Sequence, residues 1–403
     1  MGKFHKWCDA VGLDYKPWQE YAFKWCCHRE RADTGGIFAD EMGLGKTIVM
    51  LGVIAFRPRT TLIVLPRQLI DQWAVACEKW VGQTPLIYHG TTPNDAIDGV
   101  VDGVVITTYG TMVSRNRHLR AKSWDRIICD EAHHLRNAGL GWLMMRQIPR
   151  RVHWLVTGTP IQNSPKDLRA LERVAGCEYL LRRTREQVGI KMPKLRMSTM
   201  DVSWKEEEAE IAAEVHDLAL GGRGGIGMNM HDSIGEWTMV RFLRAKQMCI
   251  FPELLSKTIG QYGLPSSKLD AVVEKILSRA DNGRRKLVFC FFRMEIDELE
   301  RRLQNAGIVV GILDGRGKNQ EGDVLLIQIQ AGCEGLNLQQ FSEVYFTSPH
   351  WNPAMEEQAI ARCYRLGQKE DVDVFRFTMI DDDGMTMDEY IHDVQDRKRE
   401  DML

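Results

Sequence analysis

The sequence has 403 residues, of which 44% are hydrophobic and 27% charged, and its net charge is −2. That balance belongs to a globular chain long enough for two or three domains, and it excludes a global basic field, so any nucleic-acid site has to be a local patch. No apolar run approaches the ~20 residues of a membrane span, the start M-G-K-F-H-K-W is no signal peptide, and ten cysteines without a C-x-x-C pair read as reduced thiols.

Residues 14–28 read as a loop turning into a helix, with Pro17 in its first turn. Gln19 lies on it. A glutamine amide matches the donor and acceptor edge of adenine, and the alternative is an exposed helix glutamine. Two apolar residues, Ile37 and Phe38, then lead into A-D-E-M-G-L-G-K-T, residues 39–47, followed by a renewed apolar run. This is the layout of a phosphate-binding loop. Asp40, Glu41, Met42, Gly43, Leu44 and Gly45 form the loop, and glycines let backbone N–H groups approach phosphates at a helix N-terminus. Lys46 reaches the terminal phosphates and the Thr47 hydroxyl ligates magnesium. The pattern G-x-x-x-x-G-K-[ST] has glycine where this chain has Asp40.

Thr61–Leu65 reads as a buried strand ended by Pro66, and Leu69–Trp80 has helical spacing. Val104–Tyr109 is a further short strand with hydroxyls at its end. Ile127 and Ile128 close another, and D-E-A-H follows at Asp130–His133. In α/β sheets ligands bind beyond the carboxyl ends of strands. There Asp130 can hold magnesium and Glu131 can orient and deprotonate the attacking water. The alternative is an acidic helix cap. Trp154–Val156 is the next strand, and T-G-T-P-I-Q-N follows at 157–163.

D-E-M-G-L-G-K-T, D-E-A-H and T-G-T-P-I-Q-N, in this order, resemble the first lobe of superfamily 2 helicase-like ATPases, and the third is similar to the Swi/Snf-type branch. Leu181–Thr184 and Met192–Lys194 resemble that branch's connector; Arg182, Arg183 and Arg185 read as a solvated face near the lobe junction. Residues 204–254 read as helices around a glycine-rich loop, 221–227. Ser267 is expected to cap a helix, and the strands Leu287–Phe292, Val309–Leu313 and Val324–Ile329 continue a β-α-β alternation. A-G-C-E-G-L-N-L at 331–338, W-N-P at 351–353 and Q-A-I-A-R-C-Y-R-L-G-Q at 358–368 resemble the family's second lobe. Arg362 and Arg365 are spaced i, i+3 and are expected on one helix face, as an arginine-finger pair would be.

The resemblance covers about residues 14–392, and no accessory domain fits in what remains. It implies an α/β fold of two RecA-like parallel-sheet lobes, residues 1–176 and 263–403, joined by a helical connector at 177–262. ATP and Mg2+ would bind the first lobe, with Gly335, Gln358, Arg362 and Arg365 contributed by the second. It implies double-stranded DNA, plain, forked or branched, as the partner of a monomeric translocase, with phosphate contacts at Arg67, Thr107, Thr108, Tyr109 and Arg293. Gln328 and Gln330 depart from the family where a hydroxyl and a basic residue are common. A strand-separating or branch-migrating helicase and an ATP-binding switch with little turnover are the other readings.

Overall fold

A computed structural model describes residues 2–136, 139–161, 166–220, 236–260, 263–314, 317–319, 321–329, 337–382 and 384–400. The chain divides into two compact units, the first running to Lys191 and the second spanning Met192–Glu400.

The first unit is built on seven strands: β1 Gly36–Phe38, β2 Thr61–Leu65, β3 Leu86–Ile87, β4 Val104–Thr108, β5 Trp124–Asp130, β6 Arg150–Val156 and β7 Leu180–Leu181. They lie in the order β3-β4-β2-β5-β6-β1-β7, all parallel. A parallel sheet is covered on both faces, so its strands are apolar throughout. Along β2 the period of two is nonetheless visible: Ile63 and Leu65 join one apolar cluster with Val49 and Met50, and Leu62 and Val64 join another with Ile127 and Leu155. The helix Lys46–Phe56 serves the first cluster and the helix Lys166–Ala175 the second. At the amino-terminal end of the strands Glu30 and Arg126, both fully buried, pair through two short bonds of 2.6 and 2.7 Å. Trp154 donates its indole N–H to Glu30 at 3.0 Å, tying the helix Pro17–Arg31 to β5 and β6.

The second unit also has a seven-stranded sheet: β8 Leu195–Ser203, β9 Arg285–Cys290, β10 Val310–Asp314, β11 Gly317–Asn319, β12 Val324–Gln328, β13 Phe341–Phe346 and β14 Val372–Ile380. The order is β11-β10-β12-β9-β13-β14-β8, parallel except for β11, which runs antiparallel to β10. Among the described residues, the stretch expected as a helical connector at 177–262 carries two strands as well as helices. Leu180–Leu181 adds an edge strand beside β1, and β8 pairs with β14 from Leu195 to Ser203. The helix Glu236–Ile250 buries Phe242, Ala245, Cys249 and Ile250 in the second unit's core. The expected cap moves by one residue. Ser266 caps the helix Ser267–Leu277 by accepting from the Leu269 N–H, and Ser267 is taken by Glu208. No helix among the described residues is long and apolar enough to cross a membrane.

Candidate nucleotide site

Residues 39–45 leave β1, which lies between β6 and β7 in the sheet, and enter the helix Lys46–Phe56. Gly43 and Gly45 have φ of 88° and 84°, the left-handed region that glycine enters without steric cost. Gly45 is needed for a second reason: a Cβ there would lie 2.1 Å from Nε2 of Gln19. That amide and the Trp18 indole both donate to the Leu44 carbonyl, at 3.2 and 3.1 Å. Gln19 is 3% exposed, and its Oε1 has no partner among the described residues. A buried amide oxygen of this kind marks a place where a donor is missing. Lys46 Nζ donates to the loop's own carbonyls, Asp40 O at 2.7 Å and Glu41 O at 3.4 Å.

The basic run at 182–185 is not a solvated face. Arg183 donates Nε to Oδ1 of Asp40 at 3.1 Å and Nη2 to its other oxygen, and the Arg183 carbonyl accepts the Glu41 N–H at 2.9 Å. The Arg185 N–H donates to Glu41 Oε2 at 2.7 Å, and its guanidinium donates to the Met42 carbonyl at 3.0 and 3.2 Å. Of the three arginines only Arg182 is exposed. The Asp40 carboxylate, where the full motif has glycine, therefore faces Arg183 and leaves only position 40's backbone to the loop. The two carboxylates at 40 and 41 were the sequence signal, since acids in an anion-binding loop need cations beside them.

At the end of β5 each oxygen of the Asp130 carboxylate accepts one bond, from the Trp73 indole N–H at 2.8 Å and from the Glu131 N–H at 3.0 Å. The Tyr109 hydroxyl donates to the Asp130 carbonyl at 2.7 Å. Burial first, and then the Glu131 charge, push the Asp130 carboxyl up to about 6. Glu131 has φ of 49°, a strained value for a non-glycine residue, and its Oε2 lies 3.3 Å from Nδ1 of His133. After β6 the turn at Gly158 packs on the loop: a Cβ there would lie 2.5 Å from Met42 Cγ and 3.3 Å from Lys46 Nζ. Residues 162–163 of that motif lie outside the described residues.

The ends of β1, β5 and β6 thus bring together Gln19, the loop, Lys46, Thr47, Asp130 and Glu131, while Trp73, Arg183 and Arg185, whose part the sequence reading missed, hold Asp130 and the loop in place from outside the site. Three expected DNA contacts are otherwise engaged. Thr107 is fully buried and donates to the Tyr88 carbonyl at 2.8 Å; Thr108 is buried and caps the helix Tyr109–Ser114. The Tyr109 hydroxyl serves Asp130, as above. Arg67 and Arg293 are exposed, each at the first residue of a helical turn or helix.

In the second unit the helix Pro353–Ile360 is capped by Asn352, and Gln358 is buried on it. The helix ends before the two arginines, so Arg362 and Arg365 do not share a helix face. They lie in successive turns closed by Arg362 N–H to Ala359 O at 3.1 Å and Arg365 N–H to Cys363 O at 3.1 Å, and the Arg362 carbonyl is taken by the Leu338 N–H at 3.0 Å. Gln368 knots these turns by donating to the carbonyls of Gln339, Phe341 and Cys363. Gly335 and Gln330 lie outside the described residues.

A phosphate-loop sheet in the first unit, with a second parallel sheet following it, defines a two-unit α/β nucleotide-hydrolase architecture. Residues 18–179 match the SNF2-related domain and residues 267–367 the helicase conserved C-terminal domain. The chain belongs to the Swi/Snf-type (SNF2) family of helicase-like ATPases. It is 26% identical to the probable global transactivator of Orgyia pseudotsugata multicapsid polyhedrosis virus, over 94% of this chain and 89% of that protein. It is 25% identical to the DNA excision repair protein ERCC-6-like of Bos taurus, over 88% of this chain and 39% of that protein, so it spans well under half of that relative's length. The solved Sulfolobus solfataricus SWI2/SNF2 ATPase core in complex with dsDNA aligns with 91% of this chain and 88% of its own, at 21% identity and a TM-score of 0.43.

Proposed function

We propose that this chain is a DNA-stimulated ATPase that moves along double-stranded DNA and remodels forks or protein–DNA complexes. The observation that carries the nucleotide half of this reading is the unsatisfied Gln19 oxygen beside a glycine-built loop whose lysine rests on its own carbonyls. The donor set fits ATP: a glutamine edge for the base, backbone N–H groups and an ammonium for phosphates, and a carboxylate pair at the next strand end but one. It fits magnesium as well, since Thr47 and Asp130 are the oxygen ligands a hard cation takes. When bound, the ion would neutralise charge building up between the β- and γ-phosphates.

Lys46 exchanges its carbonyl partners for phosphate oxygens. Glu131, on its strained backbone, orients the attacking water and takes its proton. Arg362 and Arg365 supply cationic charge for the transferred phosphoryl group, a role worth roughly 10³–10⁵ in rate. Arg67 and Arg293 hold the DNA backbone. Phosphate contacts read no bases, so binding is sequence-independent and weakens steeply with salt.

Steady-state ATPase rates without nucleic acid and with duplex, single-stranded and forked DNA and RNA, at two salt concentrations, test this. Stimulation by plain duplex that disappears at high salt supports the translocase. Stimulation only by single strands or forks assigns a strand-separating motor instead, and no turnover with any of them refutes the ATPase reading.

A further inference from the structure

Trp73 is wholly buried among apolar neighbours of the first unit's core, and its indole N–H has one partner among the described residues, the Asp130 carboxylate. A leucine or phenylalanine would serve the apolar cluster. What tryptophan adds is a single donor on a rigid ring, aimed across 57 positions of sequence at one oxygen of one carboxylate. The other oxygen is held by the Glu131 N–H and the main chain beneath by Tyr109, so three groups fix one residue. With one bond to each oxygen, the plane of the carboxylate is set, while each oxygen has further lone-pair capacity.

We infer that Trp73 is a positioning residue for the ion-holding carboxylate: it acts through Asp130, by fixing the plane in which that group presents itself to magnesium. This rests on the reading that Asp130 holds the ion. The short helix Ile70–Ala76 that carries Trp73 continues directly from the turn that begins at the exposed Arg67. Hydrogen-bond partners that orient a metal ligand are worth about 10–100-fold in metal affinity or activity when removed. A tryptophan that served packing alone would instead affect nucleotide binding equally with and without the ion.

The test is fluorescent-ADP affinity of the full chain, measured in magnesium and in EDTA, for wild type and Trp73→Phe. The expected result is an affinity within twofold of wild type in EDTA and a magnesium-dependent gain reduced about tenfold or more. An undiminished magnesium gain in Trp73→Phe overturns the inference, and so does an equal loss in both conditions. If Trp73→Phe fails to fold, ¹⁵N-indole spectra of the native chain decide. One of the eleven tryptophan N–H resonances should move between ADP alone and ADP with magnesium, and that movement should vanish in Asp130→Asn. No indole movement on adding magnesium overturns the inference. If wild type itself gains no affinity from magnesium, it is the assignment of the ion to Asp130 that fails.

Discussion

Replacing Arg183 with alanine isolates the pair that replaces the first glycine of the phosphate loop. The Asp40 side chain is 2% exposed and that of Arg183 16%, with two guanidinium–carboxylate bonds between them. Removing one partner of a buried pair costs roughly 3–5 kcal/mol, because the other charge stays behind unpaired. Water can enter where Arg183 stood, which places Arg183→Ala near the lower end, at about 3 kcal/mol. Asp40→Ala should cost less, about 1.5 kcal/mol, because Arg183 still donates to the Trp18 carbonyl at 2.9 Å and touches solvent. The double variant should then be no worse than Arg183→Ala alone, a coupling of about 1.5 kcal/mol or more. Hydrogen exchange at the amides of β1 and the loop reads these differences locally, and fluorescent-ATP affinity should fall in the same order. Additive losses in the double variant, or an Arg183→Ala effect below about 0.5 kcal/mol, would refute the argument that this pair shapes the loop.

Lys46→Ala should abolish ATP hydrolysis, and Glu131→Gln should retain nucleotide binding while turnover stops; turnover retained by either variant removes that residue from the site. Because burial pushes the folded Asp130 carboxyl up from its ordinary 3.8 to about 6, magnesium held there as proposed would have to displace a proton below pH 6, and the magnesium concentration for half-maximal nucleotide binding should rise about tenfold per unit there. The sign for the apoprotein is the reverse. The folded state keeps a proton that the unfolded chain releases, so stability is highest below about pH 4 for this group and declines, by at most ~3 kcal/mol, as pH rises to 6, which chemical denaturation across that window measures. Arg67→Ala should weaken duplex binding for all sequences and lower the salt slope by about one; Thr107→Val, at a hydroxyl already bonded to Tyr88, should leave DNA affinity unchanged in the same titration.

The elements that carry chemistry on consecutive residues were legible. G-L-G-K-T and D-E-A-H state their local conformation, and the apolar runs around them can only be strands of a sheet covered on both sides. What escaped depends on partners far along the chain. Trp73 looks like any buried position of an amphipathic helix, because nothing local shows that its N–H meets residue 130. Thr107 and Thr108 looked available because hydroxyls stood at a strand end; they point to opposite faces, and one is held by Tyr88 while the other caps the next helix. Arg362 and Arg365 kept helical spacing, but the backbone turns away after Ile360, where the Leu338 N–H captures the Arg362 carbonyl. β8 reads as connector because most of its side chains are exposed, and its strand character comes from pairing with β14 some 177 positions later.

The phosphate loop is held in shape by groups that nucleotide binding need not disturb. Arg183 and Arg185 brace Asp40, Glu41 and the Met42 carbonyl from outside, the Trp18 indole braces Leu44 through its carbonyl, and Gly158 closes on Met42. Within the loop, the Lys46 contacts to the Asp40 and Glu41 carbonyls are the ones that a phosphate would replace. Binding therefore exchanges neutral acceptors for charged ones at an ammonium, a charge-assisted gain, without first ordering the backbone. On this argument affinity for nucleotide depends on the braces as much as on Lys46. Arg185→Ala, which touches no nucleotide in the proposed arrangement, should weaken ATP binding by raising the dissociation rate constant and leave kcat at saturating ATP near wild type. A fall in kcat with unchanged dissociation would instead place Arg185 in the chemical step.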